Sequence, residues 1–389
     1  MNEKCILPWI HLEASATGIA KPCCLTKEPI MINGVPATLE KNTISEIWNS
    51  DYMNNLRDQF LRGEKPATCS ACWDQERIGK QSKRQQSNEQ YSHRLKRWQQ
   101  HIQTPTYLDL KLGTVCNLKC RSCSTHSSFK WAEDEIQLYG ETFNQDLKSY
   151  WIQDESKVWK EIEELLPEIE YMDFTGGEPF LIKKHFDLLK KCVELDYAKN
   201  IELHYNTNGT VLPKEEIFEV WRNFKSVDVM FSIDGIEEKF EYLRCPGKWH
   251  ELTKTWETFL SYSFIHTSIC YSVTIFNVMY MQEFVDWLQT YNMNEDRIYF
   301  NIIFDPKYLN IQSMSRTAKK SIVDYYEKNR FFSSKKIKEV LDFMNADDLV
   351  LDNPNEFFEN TKKLDQIRNE DFAHTFPTLA GILDYEHSR

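Results

Sequence analysis

The stretch LKLGTVCNLKCRSC, residues 110–123, puts Cys116, Cys120 and Cys123 within eight positions, directly after a short alternating apolar run. Thiolates this close together are expected to hold a metal or a cluster, but a closed tetrahedral zinc site takes four ligands. A cubane [4Fe-4S] cluster has four irons that need terminal ligands, so three cysteines would leave one iron open to a substrate or cofactor. On the spacing alone, zinc completed by a remote ligand such as His126 stays open as the other reading.

Outward from this stretch, short β-rich runs recur at intervals: YLDLKL, YMDFTG, IELHYNTN, VDVMFSID, SICYSVTI and IYFNIIF, between residues 107 and 304. Helical candidates lie between the first four, at SKVWKEIEELLPEI, KKHFDLLKKCVEL and KEEIFEVWRNF. Alternating strand and helix implies a parallel sheet, and six such units imply an open or partial barrel with its chemistry at the carboxyl ends of the strands. Residues 1–75 read as an irregular, Cys-containing clip around a metal, with one helix from Thr43 to Gly63. Beyond residue 313 the pattern is helical and highly charged. No internal repeat or low-complexity tract is found.

Composition sets outer limits. The chain has 389 residues, 41% hydrophobic and 13% aromatic with only 12 Gly, which describes an ordinary globular protein with a sizeable core. CILPWIHLEASATGIAKPCC, near the start, lacks a basic segment before an unbroken apolar one, and no later segment approaches a membrane span. A cytoplasmic protein with no membrane partner is expected. In a reducing compartment, metal ligation is a better reading of clustered thiols among the 11 Cys than a disulfide framework. Cys192, Cys245 and Cys270 stand alone. The net charge of −12 argues against nucleic acid as a partner. The one basic run, residues 77–101, reads as a mostly solvated helical face, with a local anion-binding face as the alternative.

Each strand end carries something chemically unusual. The second runs into TGGEPF, where Gly176 and Gly177 permit a sharp turn and Glu178 supplies an acceptor suited to an ammonium group. Through CNLKCRSC, TGGEPF, YNTNGT and FSIDG on successive strands, residues 105–305 resemble the radical S-adenosylmethionine (radical SAM) superfamily. The resemblance implies that Cys116, Cys120 and Cys123 bind a [4Fe-4S] cluster whose open iron is chelated by SAM. Gly176, Gly177 and Glu178 would line the SAM amino group, and Asn208 and Ser232 would meet its ribose or carboxylate. Arg244, in EYLRCPGKW, is placed like an arginine that pairs the SAM carboxylate. Ser122 stands where an aromatic residue is often found, which bears on adenine packing and not on the cluster.

A second cysteine set precedes the barrel. Cys5-x12-Gly18-x4-Cys23, followed by Cys69-x2-Cys72, is similar to the half-size auxiliary-cluster module called a twitch domain, a relative of the SPASM domain. The resemblance implies that Cys5, Cys23, Cys69 and Cys72 hold an auxiliary [4Fe-4S] cluster. A four-cysteine zinc site has the same spacing, and Cys24 competes with Cys23 for the second position.

The expected fold is thus α/β: a twitch-like domain with helical linker over 1–103, a partial (β/α)6 barrel over 104–312 and a helical extension over 313–389. The expected function is reductive cleavage of SAM to a 5'-deoxyadenosyl radical, then hydrogen abstraction from a substrate. A peptide undergoing cross-linking, oxidation or epimerisation is preferred. A nucleotide, sugar or other small molecule is the alternative, and an inactive iron-sulfur binding protein the third reading. The electron would come from a donor such as flavodoxin or ferredoxin. Cys245, beside Arg244, is a candidate catalytic thiol that returns a hydrogen atom to a substrate radical; an inert packed Cys is the plainer reading.

Overall fold

The computed structural model describes residues 4–77, 79, 81–92, 103–142, 150–153, 157–328 and 334–385. The chain divides into two compact units. The first comprises Met1–Val115, Asp146–Tyr205 and Pro213–Asp228; the second comprises Cys116–Gln145, Asn206–Leu212 and Val229–Arg389. Residues 78, 80 and 93–101 of the basic run lie outside the described residues.

In the first unit the strands are β1 (His11–Ala14), β2 (Ala20–Lys21), β3 (Met31–Ile32), β4 (Val35–Pro36), β5 (Tyr107–Lys111), β6 (Tyr171–Thr175) and β7 (Glu202–Thr207). The sheet order is β2-β1-β5-β6-β7, with β3 and β4 a separate antiparallel pair. The pairs β1/β5, β5/β6 and β6/β7 are parallel, and β1/β2 is antiparallel. In β5 to β7 alternate residues Leu108, Leu110, Met172, Phe174, Leu203 and Tyr205 are buried, as period-2 geometry requires of a covered face. The helices of this unit bring Trp159, Ile162, Leu188, Leu189, Phe218 and Trp221 to its core. Tyr205 packs between Phe174 and Trp221, tilted to both rings, with ring centroids 5.2 and 5.3 Å away. Burying each such side chain stabilises the unit by about 1.5–3 kcal/mol relative to exposure.

The second unit holds most of β8 (Ser226–Ser232), then β9 (Ile265–Val273) and β10 (Ile298–Ile302), in the order β8-β9-β10. β9 and β10 are parallel, with Ile298 opposite Ile269. Phe231 meets the Trp256 ring edge-on at 5.1 Å, and Tyr271 packs on Phe284 at 5.0 Å. From Arg316 onward the described residues are helical, in five segments ending at Ile382.

All six expected strands are present, and among the described residues no closed barrel is found. Two expectations need correction. The helix from Thr43 to Gly63 is two helices, Ile44–Trp48 and Asp51–Leu61, because Ser50 takes extended backbone and caps the second through its hydroxyl, which accepts from Met53 N at 3.3 Å. The N-terminal stretch read as irregular contributes β1, paired residue for residue with β5. No helix among the described residues is long and apolar enough to cross a membrane.

Candidate functional site

In the second unit, Cys116 and Cys120 are buried and Cys123 packs against them. Polar hydrogens point at these sulfurs. Leu118 N donates to Cys116 Sγ at 3.4 Å, Asn208 Nδ2 to the same sulfur at 3.7 Å, and Arg244 Nη1 to Cys120 Sγ at 3.8 Å. A hydrogen bond from Cys123 and the charge of Arg244 pull the Cys120 thiol down to about 7 against the effect of burial. The same hydrogen bond, with burial, pushes the Cys123 thiol up, so it is Cys120 that the Arg244 cation favours as the thiolate, the form in which cysteine binds iron.

Asn208 is itself held, donating to Asn117 Oδ1 at 2.8 Å while its own carbonyl accepts from Thr210 N at 2.9 Å. Arg244 spends one arm of its fork on Asp234 Oδ2, 2.7 Å away, and Asp234 is fixed in turn by Ser272 N at 2.7 Å. The Arg244 Nε, also buried, has no partner. Asp234 was missed in the sequence, although it stands two residues after Ser232 in the quoted FSIDG. Ser232 closes β8, half-buried.

The loop between the cysteines is anchored to the C-terminal helices of the same unit. Arg121, 2% exposed, pairs with Asp365 and with Glu370 Oε2 at 2.5 Å, and lies 3.6 Å over the Tyr242 ring. Tyr242 donates its hydroxyl proton to Asp365 at 2.8 Å. Buried Asp134 bridges Lys119 Nζ at 2.7 Å and Arg368 Nε at 2.8 Å, while Trp131 Nε1 donates to the Cys120 carbonyl at 2.9 Å. Cys245 is half-buried; burial, and then the charge of Glu370 and a hydrogen bond to it, push its thiol up to about 11. His126, considered for zinc, is exposed.

In the first unit, the TGGEPF turn is fastened to the chain leaving β5. Gly177 N donates to Gly113 O and Glu178 N to Val115 O, both at 2.8 Å. A Cβ on Gly177 would sit 2.2 Å from Val115 O, and one on Gly176, whose φ is +118°, would sit 2.6 Å from Leu112 N. Both glycines are therefore required by close backbone approach as well as by the turn. Glu178 is fully buried, and its Oε1 accepts from Phe180 N at 3.2 Å.

The same unit brings Cys5, Cys23, Cys69 and Cys72 to one cavity, which Leu7, Leu25 and Phe60 line with apolar surface and Lys83 and Arg84 with positive charge. Cys24 is exposed and does not line it. Gly18 turns the chain at φ +79°, where a Cβ would meet Trp151 Cδ1 at 2.8 Å. Arg84, 6% exposed in its side chain, is held by Glu76 at 2.7 Å, so part of the basic run turns inward instead of facing solvent. Burial raises all four thiols, Cys69 to about 12. Four thiols on one cavity with cations beside it fit an anionic iron-sulfur cluster. Among the described residues, no group of three or more His, Cys, Asp or Glu side chains forms a single-ion site.

Comparison with protein-family models matches residues 110–290 to the radical SAM superfamily and residues 5–73 to an iron-sulfur cluster-binding domain of SPASM type. Residues 110–290 therefore form a radical SAM domain, and residues 5–73 an auxiliary iron-sulfur cluster-binding domain that precedes it. The chain's cofactors are accordingly SAM and iron-sulfur clusters, one of them auxiliary. No curated protein sequence matches it. Among solved structures it is similar to native anSMEcpe with bound AdoMet, at 20% identity and a TM-score of 0.39, over 61% of each chain. It is also similar to Streptococcus suis SuiB bound to the precursor peptide SuiA, at 17% identity and a TM-score of 0.38, over 78% of this chain and 65% of that one. The match thus spans less than two thirds of either relative.

Proposed function

We propose that this enzyme reductively cleaves SAM and abstracts a hydrogen atom from a peptide, leading to a cross-link, an oxidation or an epimerisation. The observation that carries the reading is the union, in one chain, of the three-cysteine loop in a radical SAM match with an iron-sulfur module whose four cysteines line one cavity. When bound, the cluster on Cys116, Cys120 and Cys123 supplies the electron that splits SAM into methionine and a 5'-deoxyadenosyl radical. Cys5, Cys23, Cys69 and Cys72 hold the auxiliary cluster, and an external donor such as flavodoxin or ferredoxin delivers electrons. The chain's own part is to bind and orient. Gly176, Gly177 and Glu178 receive the SAM amino group, Asn208 and Ser232 its ribose or carboxylate, and the unpartnered Arg244 Nε offers its carboxylate a donor. By function the chain divides into the auxiliary domain over 1–103, the barrel over 104–312 and the helical extension over 313–389.

Anaerobically reconstituted protein given SAM and dithionite should release 5'-deoxyadenosine; iron-replete protein that binds SAM and releases none would remove the reading. Glu178→Gln keeps the side chain's size but weakens an ionic acceptor, so SAM should bind roughly tenfold less tightly with iron content unchanged. Arg244→Lys should also weaken binding, because a point charge does not replace a fork. Equilibrium dialysis with labelled SAM reads both, and wild-type affinity would show that these side chains do not meet SAM.

Cys245 is assigned the return of a hydrogen atom to a substrate radical; the thiyl radical left on its sulfur would take one electron from the external donor and one proton from solvent to restore the thiol. Turnover in deuterated water should then leave one deuterium in the product. Cys245→Ala should lose that product while still releasing 5'-deoxyadenosine. Product formed unchanged by the variant would take the thiol out of the mechanism and leave cross-linking or oxidation.

A further inference from the structure

Glu13 on β1, Asp109 on β5, Asp173 on β6 and His204 on β7 are direct cross-strand neighbours, one after another. Period-2 geometry puts Asp109, Asp173 and His204 on the sheet face opposite Leu108, Met172 and Leu203. His204 Nδ1 lies 2.7 Å from Asp228 Oδ2, which extends the row to a fifth ionisable group. Carboxylates directly opposite one another repel, and here Glu13 meets Asp109 and Asp109 meets Asp173.

The charge present offsets this only in part. Lys111 Nζ lies 2.5 Å from Glu13 Oε1 and 3.8 Å from Asp109 Oδ1. His11 Nε2 is 3.7 Å from Asp109 Oδ2, and Tyr107 donates to Asp173 Oδ2 at 3.4 Å. Lys83 also acts on Asp109 and Asp173. Four carboxylates thus face two lysines and His204, which, against the effect of burial, its hydrogen bond to Asp228 makes easier to protonate.

A separate observation points to a ligand. Glu13 Oε2, Asp109 Oδ1 and Asp173 Oδ1 are buried and accept no hydrogen bond, although the Glu13 and Asp109 side chains are only 4% and 9% exposed. Thr175 Oγ1, in register with Lys111, is buried and unpartnered too. Lys111 Nζ is also buried without hydrogen-bond geometry, but one ammonium does not serve orphaned oxygens on three acidic side chains, and native interiors pair such groups, so the row marks a place for further donors. Burial and the charge of Asp109 push the Asp173 carboxyl up to about 6, as expected of adjacent carboxylates without enough counter-charge. The row meets solvent at one end, where the His204 and Asp228 side chains are 13% and 33% exposed, while the orphaned oxygens themselves are buried. Neighbouring strands stand about 4.8 Å apart, so an organic cation with several N–H donors can serve acceptors on two adjacent strands at once.

We infer that this row binds a cationic group of the substrate, a primary ammonium or a guanidinium. The inference rests on the peptide reading only in naming that group as a Lys or Arg side chain. Several acceptors around one cation select it over a neutral isostere, because the isostere leaves buried carboxylates unpaired.

The full-length reconstituted protein is titrated with butylammonium, butylguanidinium and neutral butanol, with binding followed by ligand line broadening in NMR. At least one cation should bind saturably and roughly tenfold or more tightly than butanol, and Asp173→Asn should remove that preference. If Asp173→Asn does not load iron, Asp228→Asn at the exposed end takes its place in the same comparison. Equal binding of cation and butanol, no saturable binding, or a preference untouched by the substitution would overturn the site. Once a peptide substrate is in hand, equal turnover of its norleucine replacement would overturn the site and leave the peptide reading intact. Cation selectivity without turnover of any peptide would do the reverse.

Discussion

Replacing Cys116, Cys120 and Cys123 together by alanine is expected to abolish SAM cleavage and leave about four irons per chain of the roughly eight that two [4Fe-4S] clusters bring. The result follows from the proposed assignment of ligands, since Cys5, Cys23, Cys69 and Cys72 line a cavity that none of the three replaced cysteines lines. Iron analysis with electron paramagnetic resonance after anaerobic reconstitution measures the first part, and 5'-deoxyadenosine the second. Zinc in place of the remaining iron would restore the four-cysteine zinc reading of the N-terminal set.

The second large effect is expected at Arg121. Its side chain is 2% exposed, and it neutralises Asp365 and Glu370 at once. Arg121→Met keeps a long apolar stem yet strands two carboxylates, of which Asp365 still accepts from Tyr242 and from Phe372 N. Breaking a buried pair from one side costs about 3–5 kcal/mol, so the midpoint of denaturant unfolding should fall markedly. Because Arg121 lies between Cys120 and Cys123, iron retention after gel filtration should fall with it. An unchanged midpoint would show that water reaches the carboxylates and that the cluster loop does not depend on the C-terminal helices.

The sequence showed most of what is chemical here and less of what is relational. Strand β5 was legible because Leu108 and Leu110 alternate with polar neighbours, and TGGEPF because two glycines beside an acid have few other uses. By contrast, β1 spans only His11–Ala14 and is buried throughout, so it carries no alternation to read. Asp234 and Arg121 were hidden for another reason. An aspartate after a strand and an arginine in a loop are ordinary in sequence, and only the fold shows that one holds Arg244 and the other meets Asp365 and Glu370. The row from Glu13 to Asp228 was invisible because register across strands is not written along any one of them. The break at Ser50 was readable in principle, since a serine followed by an acid is a helix start as well as an interior.

The pairing of β1 with β5 also sets an order of events during synthesis. Residues 11–14 leave the ribosome long before residues 107–111, and parallel neighbours cannot be joined by a tight turn. Until β5 arrives, the edge of β1 that it will occupy has no parallel partner, and Glu13 lacks Lys111 as its counter-ion. Until then β1 has only β2 beside it, so the N-terminal module cannot be completed as a nascent domain ahead of β5.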